Sequence, residues 1–221
     1  MSFSRLFEIM SILYASKTAP ALILVVMAVV LPNLLHDHGM PRPGSRFVGA
    51  VAGGLAALLA VAFLPAWEAV SVSAIATLAI AILRSAPGQG LRGLDGGHSR
   101  RDWSTLSFPL AATGSLFVGA AVLDQGWAAF APIAFVSWGD SAAGLVRSRR
   151  KPPSRGILGS TVMLLICLGV ALCVHPYWVG ALGAAVATAT ERYRPLVPNW
   201  LDDNLAIAAT SFVVIFVLIT E

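Results

Sequence analysis

Charged residues are scarce in this chain. Only 12% of its 221 residues are Asp, Glu, Lys or Arg, against 57% that are hydrophobic. Soluble domains carry about 25% charged residues, so the deficit excludes a free-standing soluble fold. A mean hydropathy of +0.79 points to an integral membrane protein. One helical membrane domain over 18–221 leaves no length for a soluble domain beside it. Cysteine is nearly missing too. Cys167 and Cys173 share one apolar run, but their spacing leaves them roughly 120° from a common helix face. That excludes a disulfide scaffold and a paired metal site, and both read as packed core thiols. The glycine-rich stretch from Ser85 to Ser107 lacks Walker spacing, so it is no P-loop. No signal-peptidase site follows a short apolar core at the start. Residues 1–17, with Arg5, Glu8 and Lys17 among bulky apolar residues, read as an interfacial amphipathic segment.

What is abundant is apolar sequence broken at intervals. The runs fall at about 18–35, 46–64, 66–84, 107–123, 127–146, 157–174, 176–193 and 204–220. Each approaches the ~17–25 residues that cross a bilayer. The expected fold is therefore an all-α polytopic bundle of seven or eight transmembrane helices. Small residues crowd several runs, as in Gly53-Gly54 and the Ala-rich stretch 181–189, as close-packed membrane helices require.

A net charge of +4 and a pI near 9.6 would suit nucleic acid, but the placement of the basic residues argues for a membrane surface. Thirteen of the fifteen Lys and Arg fall in alternate breaks: Arg42 and Arg46; Arg84 to Arg101; Arg147 to Arg155; Arg192 and Arg194. The turns at 64–66, 123–126 and 174–176 hold none. The positive-inside rule makes the basic face cytoplasmic, with both termini on the other side. The expected location is a bacterial or archaeal plasma membrane.

Three acidic spots interrupt the apolar runs. Asp140 lies in Trp138-Gly139-Asp140-Ser141-Ala142-Ala143-Gly144, Glu191 ends the seventh run, and Asp202-Asp203-Asn204 open the eighth. A carboxylate against hydrocarbon costs several kcal/mol unless it is paired, hydrated or bound to a cation, so a functional site is the default reading. The charge partition puts all three spots at one depth, beside a basic surface. Carboxylates there suit a hard cation such as Mg²⁺, which takes one or two carboxylates and fills its other positions with water and phosphate oxygens. Asp140 and Asp203 are the metal candidates, and Asn204 adds a neutral ligand. Asp202 reads equally well as a plain helix cap. Gly139, Ser141 and Gly144 give Asp140 small neighbours that let a ligand or helix approach.

The loop Arg147-Ser148-Arg149-Arg150-Lys151-Pro152-Pro153-Ser154-Arg155 is basic and Pro-braced. Arg149 and Arg150 read as topology signal and headgroup contact, whereas Arg155, just ahead of Gly159-Ser160, is placed to reach phosphates. Gly159, Ser160 and Lys151 are further phosphate candidates, as is Arg100 in the Ser85–Ser107 loop. His36 and His38, flanking Asp37, read as solvated, and His175 falls at the opposite face.

In this order, Gly-Asp-Ser-Ala-Ala from Gly139, a basic residue ahead of Gly159-Ser160, Glu191, and Asp202-Asp203-Asn204 opening the last run resemble the CTP-dependent lipid-alcohol kinases. That family includes phytol kinase, dolichol kinase and the CTP-using diacylglycerol kinases. It is distantly similar to phosphatidate cytidylyltransferase. The resemblance covers about residues 84–220, and its ending looks most like the phytol kinase branch. Two departures stand out. Arg155-Gly156-Ile157-Leu158 replace the family's Lys-Ser ahead of the Gly-Ser pair, and Arg presents a planar fork instead of a compact ammonium. The early Arg-Lys-x-x-His appears only as Ser45-Arg46-Phe47-Val48-Gly49, without the His.

The resemblance implies Mg²⁺-dependent phosphoryl transfer from CTP to the hydroxyl of an isoprenoid or other lipid alcohol. The partners would be a nucleoside triphosphate, a lipid alcohol and membrane lipids. Asp140, Glu191 and Asp203 are then the catalytic candidates, with the base open among them. Three other readings stand beside it. One is cytidylyl transfer onto a lipid phosphate, and another is a relative that has lost activity. The third is a small cation- or proton-coupled transporter, disfavoured because no internal repeat is visible and the acids lie near one boundary.

Overall fold

The computed structural model describes residues 18–85, 91, 93–94, 104–149, 156–193 and 202–221. Eight helical rods account for them, with no strand among the described residues. They are α1 (Ala19–Asp37), α2 (Arg42–Phe63), α3 (Ala66–Ser85), α4 (Ser104–Ser115, continuing as a π-helix over Leu116–Val122), α5 (Gly126–Ser148), α6 (Ile157–Ala171), α7 (Tyr177–Arg192) and α8 (Asp203–Thr220). The expected all-α polytopic bundle is what the chain forms. The N-terminal segment 1–17, Arg100, Lys151 and Arg155 lie outside the described residues.

Six rods, α1 to α5 and α8, are long and apolar enough to cross a membrane. The other two fall short of the span expected from the apolar runs. With 15 and 16 residues, α6 and α7 rise only about 22–24 Å, less than the ~30 Å hydrocarbon core. The sixth run continues in apolar residues to Val174, but α6 ends at Ala171 and turns through Leu172–Pro176. Cys173 is consequently exposed in that turn, not packed, while Cys167 on α6 is buried as expected.

Burial follows position. In α5 67% of an 18-residue window is buried, against 11% in α1, so α5 is the central rod and α1 a peripheral one clasped to α2. Phe130, Ile133 and Phe135 of α5 meet Met163 of α6 and Ile207 and Ile215 of α8 in the core. Lipid tails are as apolar as these side chains, so tight packing, not exclusion from water, holds such a core together. Between α3 and α4 the hydroxyls of Ser73, Thr77 and Thr113 bond one another at 2.9 and 3.0 Å, satisfying polar groups within the bundle. Outward faces carry Ile23, Val30, Ile75, Leu78, Leu165 and Val217.

The two poles differ in chemistry. Exposed Trp67, Trp127, Tyr177 and Trp178 stand beside the three connections that lack basic residues, as in an interfacial aromatic belt. At the other pole the helix ends are stitched by polar contacts. Asn33 Oδ1 accepts from Gly93 N at 2.9 Å, and Ser45 Oγ donates to Gly93 O at 2.9 Å, tying the α3–α4 connection to α1 and α2. His36 and His38 bond the carbonyls of Met40 and Leu34, so both rings serve the end of α1.

Candidate functional site

Asp140 owes its position to an irregularity in α5. Pro132 removes one backbone donor, and the following residues, Phe135–Asp140, form a π-helical stretch. A π turn inserts an extra residue and re-aims the side chains beyond it, a device frequent at functional sites. Two close approaches clamp this stretch. A Cβ on Gly54 of α2 would lie 2.3 Å from Trp138 Nε1, and a Cβ on Gly139 would lie 2.6 Å from Cys167 Sγ of α6. Gly139 therefore acts in helix packing, with its neighbour Asp140 left facing the interior space of the bundle.

That space is a cavity of about 1090 Å³ between α1 to α5 and the start of α8. Asp140, Asp202, Asp203 and Asn204 all line it, as do Ser141 and Gly144. The acidic spots of α5 and α8 thus share one cavity. Three arginines join them: Arg42 and Arg46 from the start of α2, and Arg147 from the end of α5. From this charged end the cavity runs down past Ala56, Ala57 and Ala60 of α2 and Ala69, Val72 and Ala76 of α3. Arg42 and Ala60 are about 27 Å apart along a regular helix. The cavity is charged at one end and mostly apolar for the rest of its length, with Ser73 among the alanines.

The start of α8 is held by a network that the sequence did not disclose. Asp202 caps the helix, its Oδ1 accepting from Asn204 N at 2.9 Å. Buried Ser107 of α4 donates to the same oxygen at 2.5 Å, and Asn204 Nδ2 donates to Ser107 Oγ at 3.0 Å. Asp202 is thereby a structural cap, and Ser107 locks α4 to α8. The lock sets the first turn of α8, from which Asp203 faces the cavity. A hydroxyl paired with residues 95 and 97 positions away leaves no local pattern to find.

Glu191 does not line the cavity. It is 3% exposed on α7 and forms an ion pair with Arg147 Nη1. Arg147 Nη2 lies 3.3 Å from Asp140 Oδ1, so one guanidinium bridges the cavity carboxylate and the buried one behind it. Arg147 follows Asp140 by seven residues, about two helical turns, which puts both on one face; that spacing was visible in the sequence. Reading the run as ending at 146 assigned Arg147 to the basic loop, whereas the helix continues to Ser148. Gly159 and Ser160 also stand apart from the cavity. A Cβ on Gly159 would touch Arg147 Cγ at 3.5 Å, and Ser160 is 8% exposed, with no hydrogen-bond partner for its Oγ among the described residues.

Oxygen donors from Asp140, Asp203 and Asn204 line this cavity and are of the chemical type that a hard cation such as Mg²⁺ takes, although no cluster of three or more His, Cys, Asp or Glu forms among the described residues. Arg42, Arg46 and Arg147, which line the same cavity, suit an anion that such a cation would carry. Fold and site together define a polytopic helical membrane protein with an amphiphile-shaped cavity. No family model, curated protein or solved structure matches the chain.

Proposed function

We propose that the protein is a membrane-embedded kinase that transfers a phosphoryl group from CTP to the hydroxyl of a lipid alcohol. The observation that carries this reading is the shape and chemistry of the cavity: carboxylates and arginines at one end, and an alanine-lined apolar bore for the remainder. A long lipid fits with its tail in the bore and its head among the charges. The ordered resemblance from Gly139 to Asn204 supplies the reaction type. Buried Ser137, which lines the cavity one turn before Asp140, adds a hydroxyl with no partner among the described residues. Such a group costs about 1–3 kcal/mol unless something meets it.

Phosphoryl transfer asks mostly for positioning and charge neutralisation. Asp140, Asp203 and Asn204 would hold Mg²⁺, which when bound offsets the negative charge of the phosphates. Arg42, Arg46 and Arg147 line the same end and draw the nucleotide's phosphates towards the cavity mouth. The alcohol oxygen attacks the γ-phosphorus, the new P–O bond forms as the bond to the β-phosphate oxygen breaks, and CDP leaves. The alcohol proton passes to Asp140 or Asp203, the cavity carboxylates not used as a helix cap. Glu191, shielded behind Arg147, is set aside as the base.

The test is an assay of purified protein in lipid with a panel of lipid alcohols and each of the four γ-labelled nucleoside triphosphates. Label appearing on an alcohol supports the kinase. A CDP-lipid formed from a lipid phosphate, with release of pyrophosphate, replaces it with the cytidylyltransferase reading, which the same three arginines would serve. Cation- or proton-coupled flux in sealed vesicles without either product would favour a transporter.

A further inference from the structure

Arg147 is held unequally by its two carboxylates. Glu191 makes the close contact and is almost wholly enclosed, its side chain 2% exposed, whereas Asp140 stands 3.3 Å away and is 18% exposed. Charge-assisted N–H···O bonds run at about 2.7–2.9 Å, so the Asp140 contact is the weaker one. The stem of Arg147 lies in a lane between glycines. A Cβ on Gly159 would sit 3.5 Å from its Cγ, and a Cβ on Gly144 would sit 3.6 Å from its Nη2. Branched side chains at either position would obstruct it. The Arg147 side chain as a whole is 19% exposed and lines the cavity.

We infer that Arg147 is the cavity's phosphate-binding residue, that Glu191 is its positioning residue, and that Asp140 exchanges Arg147 for a divalent cation so that cation and phosphate bind together. The proposal deepens the kinase reading and shares its site. Charge sets the order. Asp140 and Glu191 both face the Arg147 guanidinium, and their negative charge opposes a phosphate there. A divalent cation on Asp140 adds two positive charges beside Arg147 and attracts the phosphate. Asp140 then turns from Nη2 to the cation, and the freed edge of the fork faces the cavity while Glu191 keeps hold of Nη1. Arg suits this task because its planar guanidinium presents five donors, enough to keep one partner while taking another.

Calorimetric titration of the chain in zwitterionic nanodiscs, with pyrophosphate as the probe, tests this. Wild-type protein is expected to bind pyrophosphate at least about tenfold more tightly with Mg²⁺ than with chelator. The variant R147Q/E191Q removes both charges and leaves no buried carboxylate without its cation. It should lose about 10- to 100-fold in affinity for magnesium pyrophosphate while still binding Mn²⁺ by paramagnetic resonance. Arg147→Lys, which keeps the charge but not the fork, should bind Mn²⁺ and fall between the two, and it decides the matter if the double variant fails to fold. Glu191→Gln should reduce the Mg²⁺-dependence of pyrophosphate binding with little change in Mn²⁺ affinity, which a merely structural role would not produce.

A parallel arm with phosphatidate in the nanodisc separates the sources of phosphate. Loss confined to pyrophosphate assigns Arg147 to the nucleotide, and loss confined to phosphatidate assigns it to a lipid phosphate. If the folded variants bind both probes within about twofold of wild type, or if wild-type binding ignores Mg²⁺, the proposal is overturned. The kinase reading fails separately: Arg147-dependent binding without transfer to any alcohol sinks that reading alone. Transfer by R147Q/E191Q with an unchanged KM for nucleotide and unchanged binding of phosphatidate sinks this inference alone.

Discussion

Replacing Arg147 by Met should be one of the most damaging single changes in the bundle. Met keeps much of the stem's volume but removes the Arg147 guanidinium from the buried Glu191 carboxylate, 2% exposed. Removing one partner of a buried ion pair costs about 3–5 kcal/mol, because the other charge is left uncompensated. Glu191→Gln should cost less, about 1–2 kcal/mol: Arg147 retains Asp140 at 3.3 Å and keeps part of its surface exposed. The double variant R147M/E191Q has no orphaned charge and should return to within about 1 kcal/mol of wild type, since neutral replacements of buried ion pairs are often well tolerated. Reversible unfolding in mixed micelles, followed by helicity, gives the four free energies of the cycle. The expected coupling between the two sites exceeds about 2 kcal/mol, well above the ~0.5 kcal/mol scatter of independent sites. An Arg147→Met cost below about 1 kcal/mol, additive with Glu191→Gln, would refute the buried pair.

Other substitutions probe the remaining parts of the site. Asp140→Asn and Asp203→Asn should each abolish Mg²⁺-dependent transfer while the protein inserts and purifies normally, and full activity in both would end the metal assignment. Ser107→Ala removes the 2.5 Å bond to Asp202 and the acceptor for Asn204. A stability loss of about 1–3 kcal/mol is expected, together with weaker Mn²⁺ binding, and an unchanged thermal midpoint would contradict the lock. Gly139→Ala places a Cβ 2.6 Å from Cys167 Sγ and should destabilise by about 1–3 kcal/mol, with Cys167→Ala restoring much of the loss in the same unfolding assay. Ala60→Phe fills the apolar end of the cavity, so competition between long and short lipid alcohols should shift towards the shorter tail. Equal discrimination by variant and wild type would show that the tail lies elsewhere.

The apolar runs located all eight rods to within a few residues, because hydropathy over such lengths responds to little besides the bilayer. What the runs did not reveal was where a helix stops. Arg147 looked like loop because a charge usually ends a membrane run, yet in α5 it is paired on both sides and the helix carries it inward. Cys173 looked buried because its neighbours are apolar, yet it follows the end of α6. The convergence of Asp140 with Asp203 and Asn204 was legible because charge partition fixes depth. Glu191 shows the limit of that inference: it shares the pole but sits behind Arg147, and depth says nothing about which way a helix is rotated.

Rotation is set by small residues. Gly54 admits Trp138, and Gly139 admits Cys167, and each contact pins one side of the π-helical turn that ends at Asp140. A side chain at either glycine would force α2 or α6 away and turn Asp140 off the cavity without touching a charged atom. In a soluble protein, burial away from water would help hold such a turn in place. Here lipid competes equally for every apolar face, so close contact at these two glycines must do it. The carboxylates and arginines carry the chemistry proposed for this cavity, but Gly54 of α2 and Gly139 of α5 determine that Asp140 faces it.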